Sequence, residues 1–187
     1  MDNLADTSEV LSGQRSNHVD DLLIAEFDHW TVQEMVFSPE KIAWLWTEMN
    51  KYKSLFSDLT KGDLSNFTTM LSQRDSLWFE ALDEEGNIVG IMYILQMYQV
   101  IDCEVHILFL DRKPAEKVLL CRQVVQWVFE RYPFRRMTAT IPSIYYRTIK
   151  LAKNIGFKEE GRKRESQLLG NKWVDEVILG ILRHEVL

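Results

Sequence analysis

"IKLAKNIGFKEEG", residues 149–161, has helical spacing up to its first glycine and strand composition after it. Gly156 can adopt the left-handed backbone that closes a helix, and Phe157 can then turn the next strand back onto a core. Upstream, SIYYRTIKLAKNIG reads as one helix with Ser143 as its cap and Ile144, Thr148, Leu151 and Ile155 on one face. Downstream, FKEEGRKRESQLL and WVDEVILGIL read as two strands joined at the turn GNK.

The alternation between helical and strand periods continues toward the N-terminus. RRMTATIP alternates as a strand, and KPAEKVLLCRQVVQWVFERYP before it is a helix opened by Pro114 and closed by Pro133. Its inward stripe is Val118, Cys121, Val125 and Val128. EVHILFL (104–110) is a buried strand, and SLWFEAL and NIVGIMYILQM flank the hairpin turn DEEGN. Further back, Ser38 caps and Pro39 opens a helix with Ile42, Leu45, Trp46 and Met49 inward. A second helix is expected over 62–74 with Phe67, Met70 and Leu71 inward, and residues 26–36 read as one rough strand. Residues 1–22 are polar and without periodicity, and are expected to form a flexible arm that is a candidate contact for a protein partner.

Totals narrow the function classes. A chain of 187 residues fits one domain with a sizeable core. With 22 basic against 28 acidic residues its formal charge is -6, which argues against broad binding to nucleic acid or to an anionic membrane. The RKR run at 162–164 is flanked by Glu159, Glu160 and Glu165 and reads as an exposed charged strand. Cys103 and Cys121 sit in apolar runs without metal-ligand spacing, so two buried thiols in a reducing compartment are expected. The histidines show no metal spacing either. The polar, acidic start MDNLADTSEV is unlike a secretory leader, and the expected location is cytoplasmic.

The C-terminal third carries a more specific signal. Thr148, Gly156, Phe157, Glu160, Gly161, Arg162, Trp173 and Asp175 follow one another as a helix, a Gly-Phe stop, a basic strand, a turn and Trp-x-Asp before a last apolar strand. This pattern resembles the GNAT superfamily of N-acetyltransferases, within it the branch of ribosomal-protein and spermidine-type acetyltransferases. The resemblance covers about residues 26–187. It implies an α/β (α+β) fold: one domain over 23–187, with a mixed, mostly antiparallel sheet of six or seven strands splayed where the acyl donor enters, and about four helices. It further implies acetyl-CoA as co-substrate and a primary amine as acceptor: a protein N-terminus, a lysine or a small polyamine.

What the resemblance implies for the site is carried over residue by residue. The family's pyrophosphate loop falls on Arg112, Lys113, Pro114, Ala115, Glu116 and Lys117. Glycines that let the backbone approach phosphate are replaced there by Ala115 and Lys117, Pro114 removes one amide donor, and Glu116 adds a repelling charge. On this reading Arg112, Lys113 and Lys117 supply positive charge in place of close backbone contacts. Phe109, Leu110, Ala115, Val118 and Thr148 complete the expected donor-binding set. The alternative is a catalytically silent GNAT-fold structural or assembly protein, similar to small proteins of bacterial viruses.

Acetyl transfer to an amine needs a base for the ammonium proton. Glu104 and His106 lie two apart on one strand face, in the range where this family often keeps its base. They also suit a polar pair that merely solvates the strand. Tyr145 stands where the branch often has Asn, Thr148 where it has Ser, and Ala152 where many members have Tyr. Tyr145 and Thr148 are therefore carried as catalytic candidates.

Overall fold

The computed structural model describes residues 24–52, 62–72, 76–98, 101–110 and 114–187. The expected arm, residues 1–22, lies outside them. Among the described residues eight strands make one sheet: β1 (Ile24–Phe27), β2 (Trp30–Glu34), β3 (Leu77–Leu82), β4 (Ile88–Tyr98), β5 (Asp102–Phe109), β6 (Arg136–Pro142), β7 (Lys158–Leu169) and β8 (Lys172–Leu182). Four helices accompany them: α1 (Pro39–Asn50), α2 (Leu64–Leu71), α3 (Pro114–Arg131) and α4 (Tyr146–Ile155). The sheet order is β1-β2-β3-β4-β5-β6-β8-β7, and every neighbouring pair is antiparallel except β5 with β6. This is the expected mixed fold with one or two strands more than expected. The extra strand comes from residues 26–36, which form a hairpin turning at Asp28 and His29 and not one strand.

The period-two pattern of the strands divides the core between the two faces of the sheet. On one face Cys103 and Val105 of β5, Met137, Ala139 and Ile141 of β6, and Val177, Leu179 and Ile181 of β8 pack against α3 and α4. On the other, Trp78, Ile91, Tyr93, Leu95 and Leu108 pack against Leu45 and Met49 of α1 and Phe67, Met70 and Leu71 of α2. The Ser38 hydroxyl caps α1 by accepting from the Lys41 N–H. Lys41 then ties the helix to the sheet through a 2.6 Å ion pair with buried Glu80. Cys103 and Cys121 are buried free thiols, and burial raises the pKa of both. Among the described residues no helix is long and apolar enough to cross a membrane.

Two local expectations for α4 need correction. Its N-cap is Tyr145 with no side-chain cap; Ser143 stays with the strand end, its N–H donating to the Asp175 carbonyl at 2.8 Å, and the Tyr145 N–H donates to the Pro142 carbonyl in a turn ahead of the helix. The later start rotates the buried face: Ala152 and Ile155 are buried and Ile149 half-buried, while Ile144 and Thr148 are exposed. The helix stop is as expected. Gly156 has φ +132°, its N–H bonds the Ala152 carbonyl, and Phe157 is buried one residue later.

Candidate active site

The one parallel junction of the sheet defines the site. β5 pairs with β6 over only three residues, Asp102 with Arg136, Cys103 with Met137 and Glu104 with Thr138. β5 then continues to Phe109 along β4, while β6 continues to Pro142 along β8. The two strands therefore part after Glu104, leaving a splay whose β5 wall has no strand partner on that side among the described residues. A wedge of this kind accepts an extended ligand whose amides can complete the unpaired edge.

Glu104 stands at the vertex. It is half-buried, and burial raises its pKa above the ordinary carboxylate range. A hydrogen bond from Thr140 and the charge of Lys163 pull it back down, while Glu176 and Asp102 push it up again. These groups come from β6, β7, β8 and β5, so the open sheet face converges on one carboxylate. A carboxylate whose pKa burial raises is a stronger base than an ordinary one and is suited to taking a proton from an ammonium ion.

His106 lies on the same face, with Nε2 3.9 Å from Glu104 Oε1. Its ring stacks on Tyr93 at 4.6 Å, and Tyr93 stacks on Trp78 at 4.4 Å, forming a three-ring column toward α1 and α2. Burial lowers its pKa to about 4, although a quarter of the side chain still reaches solvent. The imidazole is thus neutral at physiological pH and a weaker base than Glu104. The folded chain keeps His106 neutral well below pH 6.5, where the unfolded chain takes up the proton. The resulting stability is fully present above pH 6.5 and is lost as pH falls toward 4. His106→Gln should flatten the fall in denaturation midpoint over that interval; an unchanged slope would remove His106 from this account.

The other expected site residues are placed as follows. Tyr145 caps α4 and Thr148 lies in its first turn, both exposed next to the β6 end of the splay. Phe109 and Leu110 end the β5 wall, half-buried. Arg112 and Lys113 lie outside the described residues, Ala115 is in the first turn of α3, and Val118 is half-buried one turn on. Lys117 points its ammonium over the Phe109 ring at 4.7 Å. There it lines a cleft of about 210 Å³ with His29, Trp30, Asp83 and Glu84, on the β4 side of β5 and not in the splay. Sequence reasoning missed Thr140, Lys163 and Glu176. The alternation of RRMTATIP puts Thr138 and Thr140 on one strand face, but nothing in the sequence says that this face meets Glu104.

Comparison with known proteins agrees with this geometry. The family model for the acetyltransferase (GNAT) domain matches residues 43–178. Among solved structures, an engineered variant of the spermidine N-acetyltransferase SpeG from Vibrio cholerae superposes with a TM-score of 0.72 at 13% identity, covering 84% of this chain and 96% of that one. SpeG from the same organism in complex with CoA and spermine superposes with a TM-score of 0.69 at 12% identity, covering 83% and 97%. A dodecameric SpeG structure in an intermediate state gives 0.71 at 13% identity, covering 84% and 96%. No curated protein sequence matches the chain.

Proposed function

Because the chain belongs to the GNAT acetyltransferase family, we propose that it transfers an acetyl group from acetyl-CoA directly to a primary amine, with Glu104 as the base. The observation that carries this reading is the parting of β5 and β6 after three pairs, with a raised-pKa carboxylate at the vertex. Bound acetyl-CoA supplies an acetyl group activated as a thioester, and the new C–N bond forms as the C–S bond breaks. Glu104 takes the ammonium proton, directly or through one water, so that the amine lone pair is free. The unpaired β5 edge over 105–109 offers its backbone to the donor's amide arm, and the exposed first turn of α4, with Tyr145 and Thr148, borders the other wall.

The acceptor is proposed to be a small polyamine. Solved structures similar in fold are spermidine N-acetyltransferases by their description, and one of them is a complex with CoA and spermine. The face around the vertex also carries Asp102, Glu104, Glu160 and Glu176, a predominantly acidic surround that attracts a cationic amine. Arg136 pairs with Asp102 and Glu160 on that face and Lys163 is a further counter-charge, so a reacting amine is favoured on the side of Glu104 and Glu176.

Calorimetry with acetyl-CoA tests the donor half. A ligand with three phosphate groups meeting Arg112, Lys113 and a helix N-terminus should bind with a dissociation constant of roughly micromolar to tens of micromolar. The affinity should fall clearly as salt rises, because side-chain charge replaces buried backbone amides in this loop. No heat and no thermal shift at millimolar acetyl-CoA would overturn the acetyltransferase reading. Tight binding with little salt dependence would keep the enzyme and overturn the account of the loop.

A further inference from the structure

The junction that opens the splay is unusually short, and its side-chain bonds are concentrated at its closed end. Three parallel pairs hold β5 to β6, and parallel pairing is the weaker kind per residue. Asp102, the first of the three on β5, is paired in register with Arg136 but reaches two residues further along β6. It accepts the Thr138 hydroxyl with both carboxylate oxygens, at 2.9 and 3.1 Å. That bond points toward the vertex, because Thr138 is the register partner of Glu104. Arg136 closes the cluster from the other side. Its Nε lies 3.5 Å from Asp102 Oδ2, and its Nη2 donates to Glu160 Oε2 at 2.5 Å across β8.

The strand between them has made room for this contact. A Cβ at Gly180 would fall on the Glu160 carboxylate and the Arg136 guanidinium. Gly180 has ordinary backbone torsions and no turn to make, so its missing side chain is accounted for by the ion pair that crosses it. The result is a polar bridge over β5, β6, β8 and β7, immediately behind the vertex. A second carboxylate–threonine contact, Glu104 with Thr140, repeats the diagonal step at the mouth.

We propose that Asp102, Thr138 and Arg136 act as a positioning clamp that fixes where β5 and β6 part, and thereby the reach from Glu104 to the donor's acyl carbon. This inference rests on the acetyltransferase reading for its kinetic consequence and on the strand pairing for its structural one. A partly exposed ion pair kept only for stability would contribute little to folding and nothing to turnover. A clamp behaves differently. Displacing the vertex by a fraction of a residue step leaves the core packed but moves base and acyl carbon apart, and misplacement near 1 Å costs on the order of 100-fold in rate.

The test uses the full chain as Thr138→Val, Thr138→Ser, Asp102→Asn and Gly180→Ala, with acetyl-CoA and spermidine as substrates. Thr138→Val, Asp102→Asn and Gly180→Ala should each lower kcat by ~10-fold or more, with a smaller change in KM for spermidine. The melting temperature should move little, and Thr138→Ser, which keeps the hydroxyl, should restore turnover. Amide hydrogen exchange should quicken over 105–109 and 139–142 in Thr138→Val and in Gly180→Ala, with the rest of the sheet unchanged. Wild-type kinetics in Thr138→Val and Asp102→Asn would overturn the clamp. So would a loss of activity that tracks the melting temperature and is not rescued by serine. Should the wild-type chain bind no acetyl-CoA, the acetyltransferase reading falls by itself and the exchange measurement alone judges the clamp: unchanged exchange in Thr138→Val overturns it.

Discussion

Glu104→Gln should lower turnover at neutral pH at least ~100-fold, because removing a general base costs on that order. The substitution keeps the shape of the side chain and its contact with Thr140, and it removes a carboxylate that burial already disfavours, so the melting temperature should stay level or rise slightly. The pH dependence has a definite sign. The base works only when ionised, and its folded pKa lies above the ordinary carboxylate range, so the acidic limb of kcat/KM should sit above that range. Activity should fall as pH drops through it. Lys163→Gln removes an attraction that lowers this pKa and should move the limb to higher pH, whereas Glu176→Gln should move it down. A variant Glu104→Gln with the wild-type rate would take Glu104 out of the mechanism. His106 does not substitute for it, since a group neutral down to about pH 4 has little appetite for an ammonium proton.

The distinction between Glu104 and His106 shows what the sequence could and could not say. Their spacing announced a shared strand face, and the structure places both there. It did not announce that Tyr93 and Trp78 stack beneath His106 and draw it into the core, because that column depends on the registers of β5 on β4 and of β4 on β3. The same holds for the vertex. Asp102 and Thr138 are separated by the whole of α3, and only the right-handed return of a parallel crossover brings them together. Local signals with a stereochemical cause were legible: Ser38 before Pro39, Gly170–Asn171 between β7 and β8, and Gly156 before Phe157. Signals that depend on competition were misleading. Ser143 is a good cap by composition, but the sheet holds its backbone against Asp175 and a turn from Pro142 to Tyr145 follows, so the helix starts at Tyr146 with Tyr145 as its N-cap. The first hairpin was read as one strand because its turn, Asp28–His29, contains no glycine or proline.

Of the three donor-loop cations expected to face phosphate, the one among the described residues is Lys117. It lies over the Phe109 ring in a cleft it lines together with Asp83, Glu84 and Glu85 of the β3–β4 turn. On the proposed donor-binding reading, Arg112 and Lys113 are left to carry the salt-dependent part of that binding. The salt slope of acetyl-CoA affinity should consequently respond to Arg112→Gln and Lys113→Gln more than to Lys117→Gln.

Gly156→Val should cost ~2 kcal/mol or more of folding free energy through two independent terms. The first is backbone strain. At φ +132° and ψ -2° the chain occupies a region that residues with a Cβ rarely adopt, worth ~1–3 kcal/mol for a residue forced to hold it, and a β-branched side chain is the least tolerant. The second is space. A Cβ at this position comes within 3.1 Å of Ile181 Cδ1, a side chain that is 2% exposed in the core between β8 and α4, so it has little room to yield. Gly156→Ala meets both terms with a smaller side chain and should lose less than valine. The alternative for the chain is to relax the left-handed residue, but that would pull Phe157 out of the core and break the Ala152 carbonyl's bonds to residues 156 and 157. Both routes weaken the joint between α4 and β7, and α4 is the wall that carries Tyr145 and Thr148. Denaturant unfolding at constant m-value reads the loss directly. A midpoint equal to wild type would mean that the helix does not end where its geometry places the stop, and the strand behind it would lose its anchor in this account.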